Sequence, residues 1–322
     1  MKDKITVLML GGARRVSMAE QLRESGRRAG LDIEIISYEL LSQVPIATVA
    51  KVLVGLKWSD PAVVDDIVAL ARDNSVNIIL PFVDGAIEIA ARCREALPDV
   101  FIPVSDPEVS ANMFDKVLAA KAFREAELPI PQTYNVVTAQ LPAIAKPRRG
   151  SASRGIKVFY NMDDLMHLDN IGDYILQEYI ENREEYTVDC YVSAKGEILC
   201  TVPRRRIEVM GGEVTRTCTC RLEVLMRASR DVIKAFNLRG PVTVQFLHDL
   251  DSDRFLLMEV NPRLGGGVIC SICAGAPITD YIIAEALGRD LKPCDDWKDN
   301  TLMARYWNEV IFPDGKNIST DD

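Results

Sequence analysis

Gln245 and the pair Glu259-x-Asn261, on either side of the turn-rich Asp251-Ser252-Asp253, are the residues whose types and spacing point most directly to chemistry. A hairpin centred on Ser252 sets Gln245 opposite Glu259, and Asn261, two residues on, shares that face. Three oxygen-bearing side chains then converge, a grouping suited to a hard cation such as Mg²⁺ shared with substrate phosphates. The competing reading is a solvated strand face, but the neighbours Phe246, Leu256, Leu257, Met258 and Val260 are apolar. A second cluster, Lys146-Pro-Arg-Arg-Gly150-Ser151-Ala152-Ser153-Arg154-Gly155, offers free backbone N–H groups and cations to phosphate oxygens. It lacks the P-loop spacing, and a solvated surface hairpin has the same composition. In the third cluster, Arg204-Arg205-Arg206, the first and last guanidiniums share one strand face. There they either hold a substrate carboxylate or phosphate, or form a basic edge strand that resists aggregation.

Other motifs are weaker. Gly11-Gly12-Ala13-Arg14-Arg15 follows the first strand where a doubly wound sheet places a ligand loop, but it lacks the G-x-G-x-x-G spacing. Glu39 comes too late to be the usual ribose acid of a dinucleotide site, so a dehydrogenase is disfavoured. Cys218/Cys220 and Cys270/Cys273 make a poor zinc set, because one residue separates the first pair and the surroundings are apolar or strand-like. The chain has 322 residues, 48% hydrophobic and 26% charged, with a net charge of −9. General attraction to nucleic acid or to an anionic membrane is therefore not expected. No apolar run reaches the roughly 18 residues of a membrane span, and the N-terminal apolar stretch is short for a signal peptide. A cytoplasmic protein with reduced thiols is the expectation.

Elements must position these residues. Short β-rich runs (Ile5–Leu10, Ile33–Ser37, Val52–Val54, Ile78–Phe82, Phe101–Val104) alternate with helix patterns near Val16–Ala29, Ala62–Asp73 and Ala86–Ala96. That rhythm predicts a parallel sheet with crossover helices. One helix is predicted over Met113–Glu127, ended by Leu128-Pro129-Ile130-Pro131. Beyond it, strands Ala143–Lys146, Ile156–Tyr160 and Tyr174–Glu178, with a short helix at Asp163–Leu168, read as an α+β unit. Further strands are expected over Glu185–Val192, Gly196–Pro203, Glu213–Arg221, Val242–Asp249 and Arg254–Asn261, with helices at Glu223–Phe236 and Ile278–Leu287.

Taken in order, Asp115-Lys116, the Lys146 loop, Gln177-Glu178-Tyr179-Ile180, Glu185 and Gln245 … Glu259-x-Asn261-x-Arg263 resemble the ATP-grasp superfamily. The likeness is to one ATP-binding half of the carbamoyl phosphate synthase large subunit and to related carboxylate–amine ligases. It runs over residues 1 to 290, to the Asn261-Pro-Arg … Gly275-Ala-Pro277 … Ala286-Leu-Gly288 ending. The resemblance implies a Rossmann-like α/β domain (1–110, the pre-ATP-grasp domain), then a two-lobed ATP-grasp fold. Its small lobe, with the glycine-rich lid, is 111–180 and its C-terminal lobe, with the metal site, is 181–322.

The resemblance also implies roles. Lys116 and Lys146 would contact ATP, and Gly150, Ser151, Ser153 and Gly155 would belong to a lid over the phosphates. Glu178 with the backbone of Tyr179 and Ile180 would meet adenine, and Glu185 the ribose. Gln245, Glu259 and Asn261 would bind two Mg²⁺, or Mn²⁺, with Glu259 bridging. Arg263 would steady the transferring phosphoryl group, with Arg204 and Arg206 on an anionic substrate. The implied activity is an ADP-forming ligase that activates a small anionic carboxylate as an acyl phosphate for attack by an amine, without nucleic acid or membrane and compatible with a homodimer. The alternatives are a carbamoyl-phosphate-synthase-like subunit needing a partner chain, since only one half is present, and an ATP sensor without turnover. Arg14, Arg15, Asp84 and Glu88 would line the cleft on the N-terminal side and select a substrate, or Asp84 would only cap a helix with Glu88 as its first-turn acid.

Overall fold

β-branched runs bounded by glycine and proline build three sheets in the computed structural model, which describes residues 3–150 and 154–313. The first comprises β1 (Lys4–Leu10), β2 (Asp32–Glu39), β3 (Lys51–Val54) and β4 (Ile78–Pro81), parallel throughout in the order β3-β2-β1-β4. Helices α1 (Val16–Arg28), α2 (Val63–Asp73) and α3 (Asp84–Cys93) make the crossovers. The strand expected at Phe101–Val104 is reduced to one bridge, Phe101 to Ile78.

The helix expected over Met113–Glu127 is two, α4 (Pro107–Phe114) and α5 (Lys116–Glu125). Asp115 breaks it. Its φ of −93° and ψ of 105° are extended, and its carboxylate accepts the N–H groups of Val117 and Leu118, capping α5. The second sheet is antiparallel, in the order β5-β8-β6-β7: β5 (Thr133–Tyr134), β6 (Ala143–Pro147), β7 (Lys157–Phe159) and β8 (Tyr174–Glu178), with helix α6 (Met162–Met166) between the last two in sequence. It has a small core of its own, built from Ala143, Ala145, Phe159, Leu165, Leu168 and Leu176.

The third sheet carries six antiparallel strands in the order β13-β12-β9-β10-β11-β14. They are β9 (Arg183–Val192), β10 (Ile198–Met210), β11 (Glu213–Thr219), β12 (Gly240–Asp249), β13 (Arg254–Asn261) and β14 (Leu302–Ala304), accompanied by α7 (Glu223–Ala235), α8 (Val268–Cys273) and α9 (Ile278–Ala286). β10 runs well past the expected Pro203 and carries the arginine cluster. The apolar face of β9 and β12 packs under α7 and α4, so Glu185, Thr187 and Asp189 fall on the opposite, polar face.

The first and third sheets share one core. Val7 and Met9 of β1 and Met18 and Leu22 of α1 join Tyr191, Leu199 and Val202 of the large sheet and Ile278 and Ile282 of α9 in a single apolar cluster. Between α1 and α9 the buried Ser25 hydroxyl donates to Thr279, and Arg28 pairs with Asp280 at 2.8 Å. Among the described residues no helix is long and apolar enough to cross a membrane.

Candidate active site

A cleft of about 400 Å³ opens between the small sheet, the polar face of the large sheet and the start of α3. Its apolar lining includes Ile144, Val158 and Ile175 from the small sheet and Leu247 and Leu257 from the large one. Lys116, Lys146, Gly150, Glu178, Tyr179, Ile180, Glu185, Arg206, Gln245, Glu259, Asn261 and Arg263 line the rest. These twelve and Asp84, all singled out in the sequence, thus meet in one place.

The register of the β12–β13 hairpin puts Gln245 opposite Glu259 and Thr243 opposite Asn261. The route differs from the expectation. The turn is centred between Asp251 and Ser252, half a residue earlier, because Asp249 caps it: its carboxylate accepts from the N–H of Asp251 (3.1 Å) and the hydroxyl of Ser252 (2.5 Å), and Asp253 adopts φ 54°. A bulge at Met258 absorbs the extra residue and restores the pairing at Glu259.

Lys146 projects from β6 toward the buried Gln177, donating to its Oε1 at 3.2 Å. Burial pushes its pKa down to about 8, with Glu259 and Glu185 opposing and Lys116 and Arg183 adding to the fall. Lys116, first residue of α5, donates from Nζ to the Gly150 carbonyl at 2.8 Å. Asp115 anchors that arrangement: buried at 1% exposure, it pairs with Arg148 Nε at 2.6 Å while the Lys116 N–H donates to the Arg148 carbonyl. Gly155 does not line the cleft and packs beside Pro147. Ser151 and Ser153 lie outside the described residues.

The Glu178 carboxylate is engaged, accepting the Gln132 N–H (2.8 Å) and pairing with Arg254 (3.2 Å), which also holds Asp249 (2.8 Å). It therefore braces the small sheet against the β12–β13 turn. Arg183, which the sequence reading passed over, lines the cleft, lies 5.0 Å from the Tyr179 ring and donates to the Ile180 carbonyl. Its position four residues after Tyr179, across an irregular crossing, has no periodicity that could flag it.

The arginine cluster divides. Arg206 reaches the cleft and lies 3.2 Å from Glu185; burial lowers its pKa from the ordinary arginine value. Arg204 does not reach it. It is 1% exposed, forks onto Asp189 (2.7 and 3.2 Å) and donates to Thr217, while Ser271 donates to the same carboxylate. Gly267 permits this, since a Cβ there would sit 2.6 Å from the Arg204 guanidinium. The shared strand face foreseen for Arg204 and Arg206 exists, but a strand aspartate on β9 claims the deeper of the two.

Arg263 pairs with Asp84, Nε to Oδ1 at 2.6 Å, so the N-terminal α/β layer closes this end of the cleft. Arg15 does not line the cleft but reaches across to the large sheet, paired with Glu213 at 3.0 Å, and Arg305 pairs with the same carboxylate at 2.5 Å. Glu88 is exposed on α3 and is not part of the lining. The glycine turn after β1 is not a dinucleotide loop. Glu39 is buried, accepts from Ser37 Oγ (2.5 Å) and from the N–H groups of Gly12 and Ala13, and so staples the turn from beneath. Gly11 needs its φ of +74°, and a Cβ there would lie 2.7 Å from Val83.

Whether the chain fits a metal rests on its donor set. Among the described residues no three His, Cys, Asp or Glu side chains come together as metal ligands. The amide–carboxylate–amide set of Gln245, Glu259 and Asn261 is an oxygen set, as a hard cation requires. Beside it, on the same sheet face, the buried Thr187 Oγ1 has no hydrogen-bond partner, a polar atom of the kind that a bound ligand or its waters satisfy.

The architecture is the ATP-grasp fold, and the likeness to that superfamily seen in the motifs holds for the fold as a whole. A family model described as ATP-grasp in the biosynthetic pathway with Ter operon matches residues 170–308. The biotin carboxylase domain of Hydrogenobacter thermophilus 2-oxoglutarate carboxylase, solved with MgADP, ADP and bicarbonate, superposes with a TM-score of 0.73 at 18% identity, covering 92% of this chain and 73% of that one. N5-carboxyaminoimidazole synthetase of Staphylococcus aureus, complexed with ADP, gives 0.72 at 16% identity over 94% of this chain and 81% of that one. In sequence, the carbamoyl phosphate synthase large chain of Methanobrevibacter smithii is 21% identical over 90% of this chain. This chain spans only 31% of that relative. D-alanine–D-alanine ligase of Rickettsia typhi is 21% identical over 57% of this chain and 72% of its own length.

Proposed function

We propose that the chain is an ATP- and Mg²⁺-dependent ligase of the ATP-grasp type, acting in the cytoplasm, which activates a small anionic carboxylate as an acyl phosphate for attack by an amine. The supporting observation is the meeting, in one cleft, of an apolar slot, two lysines, the Gln245–Glu259–Asn261 oxygen set and four arginines. A slot followed by cations and a hard-cation set matches the order of a nucleotide: base, phosphates, metal.

The slot receives adenine, with the backbone of the 178–180 crossing at its edge, since the Glu178 carboxylate is already engaged. Glu185 takes the ribose. Lys116 and Lys146, with Gly150 and Arg154 of the loop after β6, hold the phosphates. Gln245, Glu259 and Asn261 would hold two Mg²⁺, or Mn²⁺, which when bound supply positive charge to the phosphate oxygens. Arg263 and Arg206 align the carboxylate and balance charge on the transferring group. A carboxylate oxygen attacks the γ-phosphorus, ADP departs, and the amine then displaces phosphate from the acyl carbon. No protein nucleophile is needed, and neither His167 nor His248 lines the cleft.

The test is ADP and phosphate release from Mg-ATP against pooled carboxylates with and without pooled amines. Release that requires both pools is the expected result; ATP binding without release from any pool removes the reading in favour of a sensor. A second reading, a carbamoyl-phosphate-synthase-like subunit, draws on the 31% of that large chain which this chain spans. Release that appears only after a second chain is added would select it.

A further inference from the structure

We infer, building on the ligase reading above, that the carboxylate activated here belongs to a zwitterion: an α-amino acid whose carboxylate rests on Arg263 and whose ammonium rests on Asp84. Asp84 is the first residue of α3, and Arg263 follows β13, 179 positions away in the chain. Their side chains are 10% and 15% exposed, both line the cleft, and Oδ1 of Asp84 lies 2.6 Å from both Nε and Nη2 of Arg263. Among the described residues no other cation pairs with Asp84.

A substrate carboxylate that takes the Nε/Nη2 edge of Arg263 displaces Asp84 from it. A plain carboxylate leaves Asp84 without a cation, largely desolvated, beside a second anion and in a cleft that already holds Glu259 and would hold the phosphates of ATP. Removing one partner of such a pair is costly because the remaining charge has nothing to replace it. A zwitterion inserted between the two returns a partner to each charge, so the pair selects for an ammonium next to the carboxylate and against acids that lack one. Bicarbonate falls among the rejected.

The chemistry is consistent with this placement. The carboxylate oxygen forms a bond to the γ-phosphorus as the bond to the β-phosphate oxygen breaks, and ADP leaves with that electron pair. The ammonium, held as a cation by Asp84, has no lone pair with which to attack its own acyl phosphate. The nucleophile is therefore the amine of a second molecule, whose nitrogen bonds to the acyl carbon as phosphate leaves and whose proton passes to phosphate or solvent.

The test measures ADP release with Mg-ATP and a fixed pool of ammonium chloride and small primary amines. The protein amino acids in both L and D forms are compared with a matched pool of their deaminated acids (propionate for alanine, succinate for aspartate, glutarate for glutamate) and with bicarbonate. The amino-acid pool should release ADP at least tenfold faster than either alternative, and Asp84→Asn should raise the half-saturating amino acid concentration tenfold or more and bring the ratio near one. Equal or faster release with the deaminated pool or bicarbonate overturns the zwitterion and leaves the ligase standing. An unchanged ratio in a folded Asp84→Asn protein also overturns it, and no release from any pool removes ligase and zwitterion together. Should that variant not fold, thermal protection of the wild-type chain in the presence of ADP and Mg²⁺ decides: amino acids should shift the melting temperature and their deaminated partners should not, and equal shifts refute the assignment.

Discussion

Glu259 is the single carboxylate among the three oxygen donors of the β12–β13 hairpin, facing Gln245 across the ladder. Replacing it by glutamine keeps the shape and removes the charge, so Glu259→Gln should lower ADP formation at least a hundredfold with little change in melting temperature. Wild-type turnover would end the metal assignment. Lys146 adds a pH signature. With its pKa near 8, it loses its charge as the pH rises through that value, whereas an exposed lysine would keep it to about 10.4. Bound phosphates favour the protonated form, so ATP affinity should be flat below about pH 8 and fall above it by up to roughly tenfold per unit. Calorimetry in buffers of different ionisation enthalpy should register proton uptake above pH 8, and Lys146→Met should abolish it. The placement of these two residues was legible because it is local to a hairpin or a strand end. Arg204 was misassigned because its partner, Asp189, reaches it only through the pairing of β9 with β10.

Among the elements, α5 matters more to the site than its length suggests. Asp115 caps it, anchors Arg148 and Arg149, and so sets Lys116 against the loop after β6. Burial alone would raise its pKa; Arg148 and the capped N–H groups more than compensate and hold it below the usual carboxylate value. Asp115→Ala should cost about 1–2 kcal/mol for the cap, more with the arginines left unpaired. Urea unfolding should show the loss, and ATP affinity should fall with it. Periodicity could not reveal the break at Asp115, because the apolar spacing runs on through it into α5; the capping signal was present in the residue type. The β12–β13 hairpin teaches a related lesson. Its register at Gln245 and Glu259 was foreseen, but the Met258 bulge that secures it reflects twist and turn capping, which no spacing rule encodes.

At the scale of the whole molecule, the N-terminal α/β layer shares its core with the large sheet and α9. A fragment of residues 1–110 would expose Val7, Met9, Met18 and Leu22 to water. Expressed alone it should aggregate or unfold without cooperativity, as circular dichroism on heating would show; a sharp transition would mean that the layer folds independently. Glu213, between Arg15 and Arg305, ties the same layer to the β10–β11 hairpin, and its pKa, raised by burial but lowered further by the two arginines, lies at about 2. That tie is complete above the ordinary glutamate range and is lost as the pH falls toward 2. The sequence by itself determined the alternation of parallel β and α, the hairpin that pairs Gln245 with Glu259, the lysine on β6 and their order, because each depends on contacts within a few residues or across one turn. Only the tertiary structure decided that Arg204 is buried on Asp189, that Glu178 braces two sheets and that Asp84 meets Arg263. Those outcomes depend on which distant charges the sheets bring within 4 Å, and ion pairing in a desolvated cleft is set by that proximity rather than by residue type.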